Sequence, residues 1–160
     1  MFCELHTRSA FSFLSSGSLP QRMAARAAEL GMSHAALLDR DTVAGAVRFH
    51  FEAQAQGIKP IIGAEITMDD GSVLPLVVMN LRGYQNLSKL ITTTKLRSKK
   101  GEHFATRDDI EGHSAGLLCF TGGLDGFLPN SIKNGIGQWD AAWLKHVFGD
   151  RLYIELQRHH

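Results

Sequence analysis

The chain has 160 residues, a formal net charge of +1, 44% hydrophobic and 21% charged residues. That length is enough for one ordinary domain with a real core, and the composition excludes a disordered chain. The near-neutral charge excludes a module held to nucleic acid by bulk charge, and no run approaches the ~20 apolar residues of a membrane span.

Phe2–His6 alternates apolar and polar residues and predicts a first short strand. Ser18, Pro20 and Gln21 predict a capped helix start, and the Ala-rich run to Leu30 stops at Gly31. Ala35–Leu38 predicts a second strand. Thr42 is a candidate cap for a helix ending at Gly57, and Pro60–Ile66 reads as a third strand. Asp69-Asp70-Gly71 predicts a turn into an apolar strand, Leu74–Met79. Tyr84–Leu96 is helical in pattern, with Leu87, Leu90 and Ile91 on one face. A Lys-rich loop follows, and then Thr106 with Asp109 as the cap of a short helix. Gly116–Phe120 reads as a buried strand, Trp139–Phe148 as a helix and Leu152–Leu156 as a last strand.

About six strands therefore alternate mostly with helices, the pattern of parallel strands joined by crossover helices. The fold class is α/β, either a (β/α) barrel or a doubly wound sheet. The last strand has no covering helix, and full barrels run to ~250 residues. The expectation is a barrel incomplete at its C-terminus, with residues 1–160 forming the N-terminal portion of a single domain. Cys3 and Cys119 lie in strand-like runs and are expected to be buried free thiols, which fits a reducing cytoplasm. Met1–Ser9 carries Glu4, His6 and Arg8 where a signal peptide would be apolar.

In either architecture chemistry gathers at the C-terminal ends of strands. The polar residues there are His6 and Arg8, then Asp39, Arg40 and Asp41, then Glu65, and last Glu155, Arg158, His159 and His160. Converging histidines and carboxylates can hold divalent metals with positions open to water and phosphate. They can equally be a hydrogen-bonded histidine and aspartates capping the next helix, and spacing alone leaves both readings open.

Three segments make the pattern specific. Glu4–Leu14, with His6-Thr7-Arg8-Ser9, is similar to the H-x-H-S opening of PHP domains, the polymerase-and-histidinol-phosphatase type. Leu37-Leu38-Asp39-Arg40-Asp41 resembles their T-D-H-D motif, and Gly57–Glu65 their G-I-K-P-I-x-G-x-E motif. Gly83–Leu87 with Leu90-Ile91-Thr92 resembles a helix start of C-family polymerase alpha subunits. Leu152–His159 resembles error-prone members in particular. In order and over nearly the whole chain, these matches resemble the N-terminal PHP domain of a bacterial C-family, error-prone-type DNA polymerase.

The resemblance implies a partial, distorted (β/α) barrel acting in DNA replication and translesion repair. It implies the remainder of an alpha subunit as partner, DNA through the full-length enzyme, no membrane and a cytoplasmic location. Metal-dependent members carry zinc or manganese at the PHP site, and the family's polymerase site takes magnesium. Here His6, Arg8, Asp39, Arg40, Glu65 and His159 are the vestigial metal-site positions. Arg8 and Arg40 stand where the family has histidine ligands, an expected acidic ligand falls on Ser15, and two later ones on Leu74 and Gly123. A guanidinium has no lone pair to give a metal. The expectation is a structural domain with no metal and no cofactor, in which Arg8 and Arg40 pair with Glu65, Asp39 or Asp41; binding of a phosphate by the two arginines is the alternative. The polymerase carboxylates lie downstream in the family, so polymerisation is not expected of this chain.

Two other functions remain as alternatives: a free-standing, metal-dependent phosphoesterase, and a DNA-contact module using Lys95, Arg97, Lys99 and Lys100. That cationic run reads more simply as a solvated face, because no aromatic interleaves with it. Gly122-Gly123 reads as a turn rather than a phosphate cradle, and Ser15–Ser18 as a loop rather than a nucleophile elbow. Trp139 and Trp143 are expected to face the core.

Overall fold

A computed structural model describes residues 2–99 and 101–156. It divides into two compact units, residues 1–65 and 66–160.

In the first unit, β1 (His34–Arg40) pairs with β2 (Lys59–Thr67) in parallel, and Arg40 lies in register with Glu65. Five consecutive residues of β1 are buried, the signature of a parallel strand covered on both faces. The helices α1 (Pro20–Glu29) and α2 (Ala46–Ala55) cover the face of β1 that carries Ala35 and Leu37. Ala24, Ala27, Phe49 and Ala53 pack with Ala35, Leu37 and Ile58 in one apolar cluster. The small alanines of α1 let the two helices approach closely, and Phe49 fills the space between them and the strand.

The N-terminal segment is extended, yet it is not the regular strand expected for Phe2–His6. Among the described residues it joins β1 through an isolated bridge, Glu4 to Ala35, rather than a continuous ladder. Ala36 N donates to Glu4 O at 2.9 Å and Leu38 N to Thr7 O at 2.8 Å. Three residues on one side thus span two on the other, so the segment bulges between them and the ladder is interrupted. The side chains of Thr7 and Cys3 donate to the carbonyls of Ala36 and His34 instead. Cys3 is accordingly half-buried rather than buried.

Neither predicted cap of the first unit holds. Helix α1 starts at Pro20 behind Leu19, and the Ser18 carbonyl accepts from Ala10 N, tying down the preceding loop. Helix α2 starts behind Gly45, because Thr42 Oγ1 is engaged by Ala44 N in the intervening turn.

In the second unit, β3 (Val73–Val78) is antiparallel to β4 (Leu117–Phe120), and β4 is parallel to β5 (Leu152–Tyr153). The strands expected by pattern are therefore not all parallel, and five rather than six occur among the described residues. The turn into β3 is as predicted. Asp70 accepts from Ser72 N and Oγ and from Asn130 Nδ2, which together outweigh the effect of burial and hold its carboxyl below the usual carboxylate range.

Helix α3 (Leu81–Arg97) begins three residues before the expected start, with Asn80 as N-cap accepting from Gly83 N. Gly83 is obligatory for space: a Cβ there would meet the Gly116 carbonyl oxygen at 1.9 Å. Asn86, one turn further on, donates to Ala115 O at 2.7 Å. Helix α4 (Arg107–His113) carries the predicted capping box of Thr106 and Asp109. Helix α5 (Phe127–Lys133), which the sequence reading missed, follows the Gly122 turn, and α6 (Gly137–Phe148) comes next.

The tryptophan expectation fails. Trp139 is 77% exposed, and Trp143 is half-buried against Phe127 and Arg107, with its indole N–H donating to Glu111. The inward face of α6 is Asp140, Leu144 and Phe148. A buried aspartate broke the apolar pattern: Asp140 is paired with Arg107 and Ser131. Cys119 is fully buried, and burial pushes its thiol pKa far up.

Candidate functional site

The parallel register of β1 and β2 sets Arg40 beside Glu65 at the strand ends. His6 and Arg8, two residues apart in extended chain, project to one side. All four meet at one carboxylate. Glu65 is completely buried. Its Oε1 accepts from His6 Nε2 at 2.6 Å and from Arg8 Nε and Nη2, each at 2.7 Å. Its Oε2 takes Arg40 Nε at 3.4 Å.

Asp39 forms a second centre. Its carboxylate accepts from Ser9 N at 2.6 Å, Ser9 Oγ at 2.7 Å and Ser12 Oγ at 2.6 Å. Ser12 Oγ accepts in turn from Arg40 N at 3.0 Å. Asp39 therefore does not cap the next helix; it binds the loop after the first motif to the end of β1. Asp41 has φ 52°, uncommon for a non-glycine residue, and its N–H donates to the Glu65 carbonyl at 2.7 Å. Gly45 closes the floor, since a Cβ there would meet Asp39 Oδ2 at 2.9 Å and Leu37 Cδ2 at 3.2 Å.

Four of the predicted positions, His6, Arg8, Arg40 and Glu65, thus meet, and Asp39 anchors the separate serine centre beside them in sequence. Ser9, Ser12 and Gly45 were missed. In sequence they are two serines three residues apart after the histidine and a glycine within six residues of the second motif, a spacing that ordinary loop residues share. Ser15 is exposed and Leu74 is a buried strand residue. His159, with Arg158 and His160, lies outside the described residues. Glu155 N donates to Thr121 Oγ1.

The cationic run is not one surface. Arg97 makes a two-pronged pair with Asp109, at 2.8 and 3.1 Å, and donates to Phe104 O at 2.9 Å. It fastens the loop between α3 and α4. Lys95 and Lys99 are exposed, and Lys100 lies outside the described residues. Among the described residues no group of three or more His, Cys, Asp or Glu side chains is arranged to hold a metal ion. No helix among them is long and apolar enough to cross a membrane.

Buried acids at parallel strand ends, wrapped by an N-terminal loop, define an α/β domain whose candidate site lies where the strands end. A solved amidohydrolase from Chromobacterium violaceum, with bound sulfate and no metal, superposes on 88% of this chain and 74% of its own, with a TM-score of 0.56 at 15% identity. The PHP domain model matches residues 4–159, and the chain belongs to that family. Curated relatives include the error-prone DNA polymerase of Dechloromonas aromatica, 38% identical over 99% of this chain, and the DNA polymerase III subunit alpha of Borreliella burgdorferi, 35% identical over 99%. The chain spans about 15% of the length of each.

Proposed function

We propose that this chain serves as the N-terminal PHP domain of an error-prone-type DNA polymerase alpha subunit, a structural domain in replication and translesion repair in the cytoplasm. In this reading His6, Arg8, Asp39, Arg40 and Glu65 are metal-site positions closed by ion pairs. The remainder of the alpha subunit is the partner, and DNA is met through the full-length enzyme.

One observation carries the reading: the buried Glu65 carboxylate is surrounded by two guanidinium groups and the His6 imidazole. The zinc or manganese of metal-dependent members does not fit this donor set. Arginine offers no lone pair, and Arg8 and Arg40 already occupy the carboxylate with fixed positive charge. The salt-bridged role is favoured over phosphate binding because the cations are balanced internally. Both guanidinium groups are already engaged by the fully buried Glu65 carboxylate.

Elemental analysis of the dialysed wild-type chain tests the reading. Zinc and manganese well below one ion per chain are expected. One tightly held ion per chain overturns it and makes a free-standing phosphoesterase the better reading, to be followed by hydrolysis assays on His6→Ala and Glu65→Gln variants.

A further inference from the structure

We propose that Arg8 is the residue that excludes metal from this chain, acting as a built-in cation on Glu65 Oε1. The inference rests on the structural-domain reading and deepens it by assigning the exclusion to one side chain. Three nitrogen atoms lie within 2.7 Å of that single oxygen: His6 Nε2, Arg8 Nε and Arg8 Nη2. Arg40 engages the other oxygen, and only at 3.4 Å. The two arginines are therefore unequal. Arg8 holds the oxygen that His6 also faces, whereas Arg40 makes a longer contact elsewhere on the carboxylate.

A metal needs lone pairs that converge on one point from a few ångström away. His6 and Glu65 already provide one nitrogen and one carboxylate in contact. The third neighbour is a group that cannot lose its proton, and its charge repels any cation approaching Oε1. Histidine at position 8 would remove that charge and add a third ligand on the same extended segment, with the same direction of projection as His6. The buried carboxylate would then lack its strongest partner, and a divalent ion would restore the balance. Glutamine at position 8 removes the charge without a nitrogen lone pair, so it separates unblocking from ligation.

Arg8→His, Arg8→Gln and wild type should be titrated with zinc chloride, followed by Tm and by zinc retained after dialysis. The expected result is about one zinc per chain and a zinc-dependent rise in Tm for Arg8→His alone, because an ion bound only by the folded state stabilises it. If Arg8→His is unfolded without metal, zinc-induced folding, read by circular dichroism, is the same gain. Arg8→His that neither retains zinc nor gains structure or stability from it overturns the assignment, whether or not the variant folds. Wild type that binds zinc in a one-to-one ratio overturns the structural-domain reading itself, so the two failures are distinct.

Discussion

Glu65 has no access to water, and a carboxylate in that position is stable only while its charge is answered. Arg8 and Arg40 answer it, and both keep about a third of their side chains exposed, so the guanidinium groups stay partly hydrated. The cost of burying the pair is borne mainly by the glutamate. Glu65→Gln keeps the shape but leaves two cations facing an amide whose own N–H groups repel them. Loss of one partner of a buried pair costs ~3–5 kcal/mol, and partial exposure of the arginines reduces this to about 2–3 kcal/mol. Urea unfolding should show the lower midpoint with unchanged slope. Gly45 has an ordinary φ of −77°, so conformation does not demand glycine there. Space does, through Asp39 Oδ2 at 2.9 Å from a Cβ. Gly45→Ala should push the Asp39 carboxylate off Ser9 and Ser12 and cost about 1–3 kcal/mol, and alanine is also the poorer residue at this N-cap.

Elements were legible in the sequence where a local signal and the tertiary environment agreed. The α4 capping box was readable because Thr106 and Asp109 satisfy each other's backbone without outside help. The Ser18 and Thr42 caps failed because each residue had a partner outside the helix, Ala10 N on the Ser18 carbonyl and Ala44 N on the Thr42 hydroxyl. At Asp109, burial opposes ionisation, but hydrogen bonds from Arg97 and Thr106 and the nearby guanidinium outweigh it and hold the carboxyl below its ordinary value of 3.8. A carboxyl with a lowered folded-state pKa stabilises the fold above its unfolded pKa and loses that contribution as pH falls through the folded value. The fold should therefore lose stability below about pH 4, and Asp109→Asn should flatten that limb while lowering stability at pH 7. Unfolding midpoints taken between pH 3 and pH 7 check both. An unchanged acid limb in Asp109→Asn would show that this carboxyl is not linked to folding.

Across the whole chain, the sequence motifs revealed the α/β class, and their order put His6, Arg8, Arg40 and Glu65 at segment ends whose side chains meet. The supporting serines and Gly45 were not separable from ordinary loop residues until Asp39 was seen to collect them. The same applies to charge. The run Lys95–Lys100 reads as a patch in one dimension, yet its central arginine is bound to Asp109 and Phe104 O, and the chain as a whole carries a net charge of only +1. Each phosphate neutralised contributes about 0.9 to the slope of log affinity against log salt. With the exposed Arg97 paired to Asp109, Lys95 and Lys99 are the cations of the described run left for phosphates, and their share of that slope should be no steeper than about −2. Binding of this chain to duplex DNA should therefore be weak at physiological salt and change little in a Lys95→Gln/Lys99→Gln variant. Fluorescence anisotropy with a labelled duplex across 50–200 mM salt, concentrations at which a true multi-phosphate binder changes affinity by about 10³ or more, decides the matter. A steep slope abolished by those two substitutions would make this face a DNA interface in its own right. A shallow slope leaves contact with DNA to the rest of a polymerase.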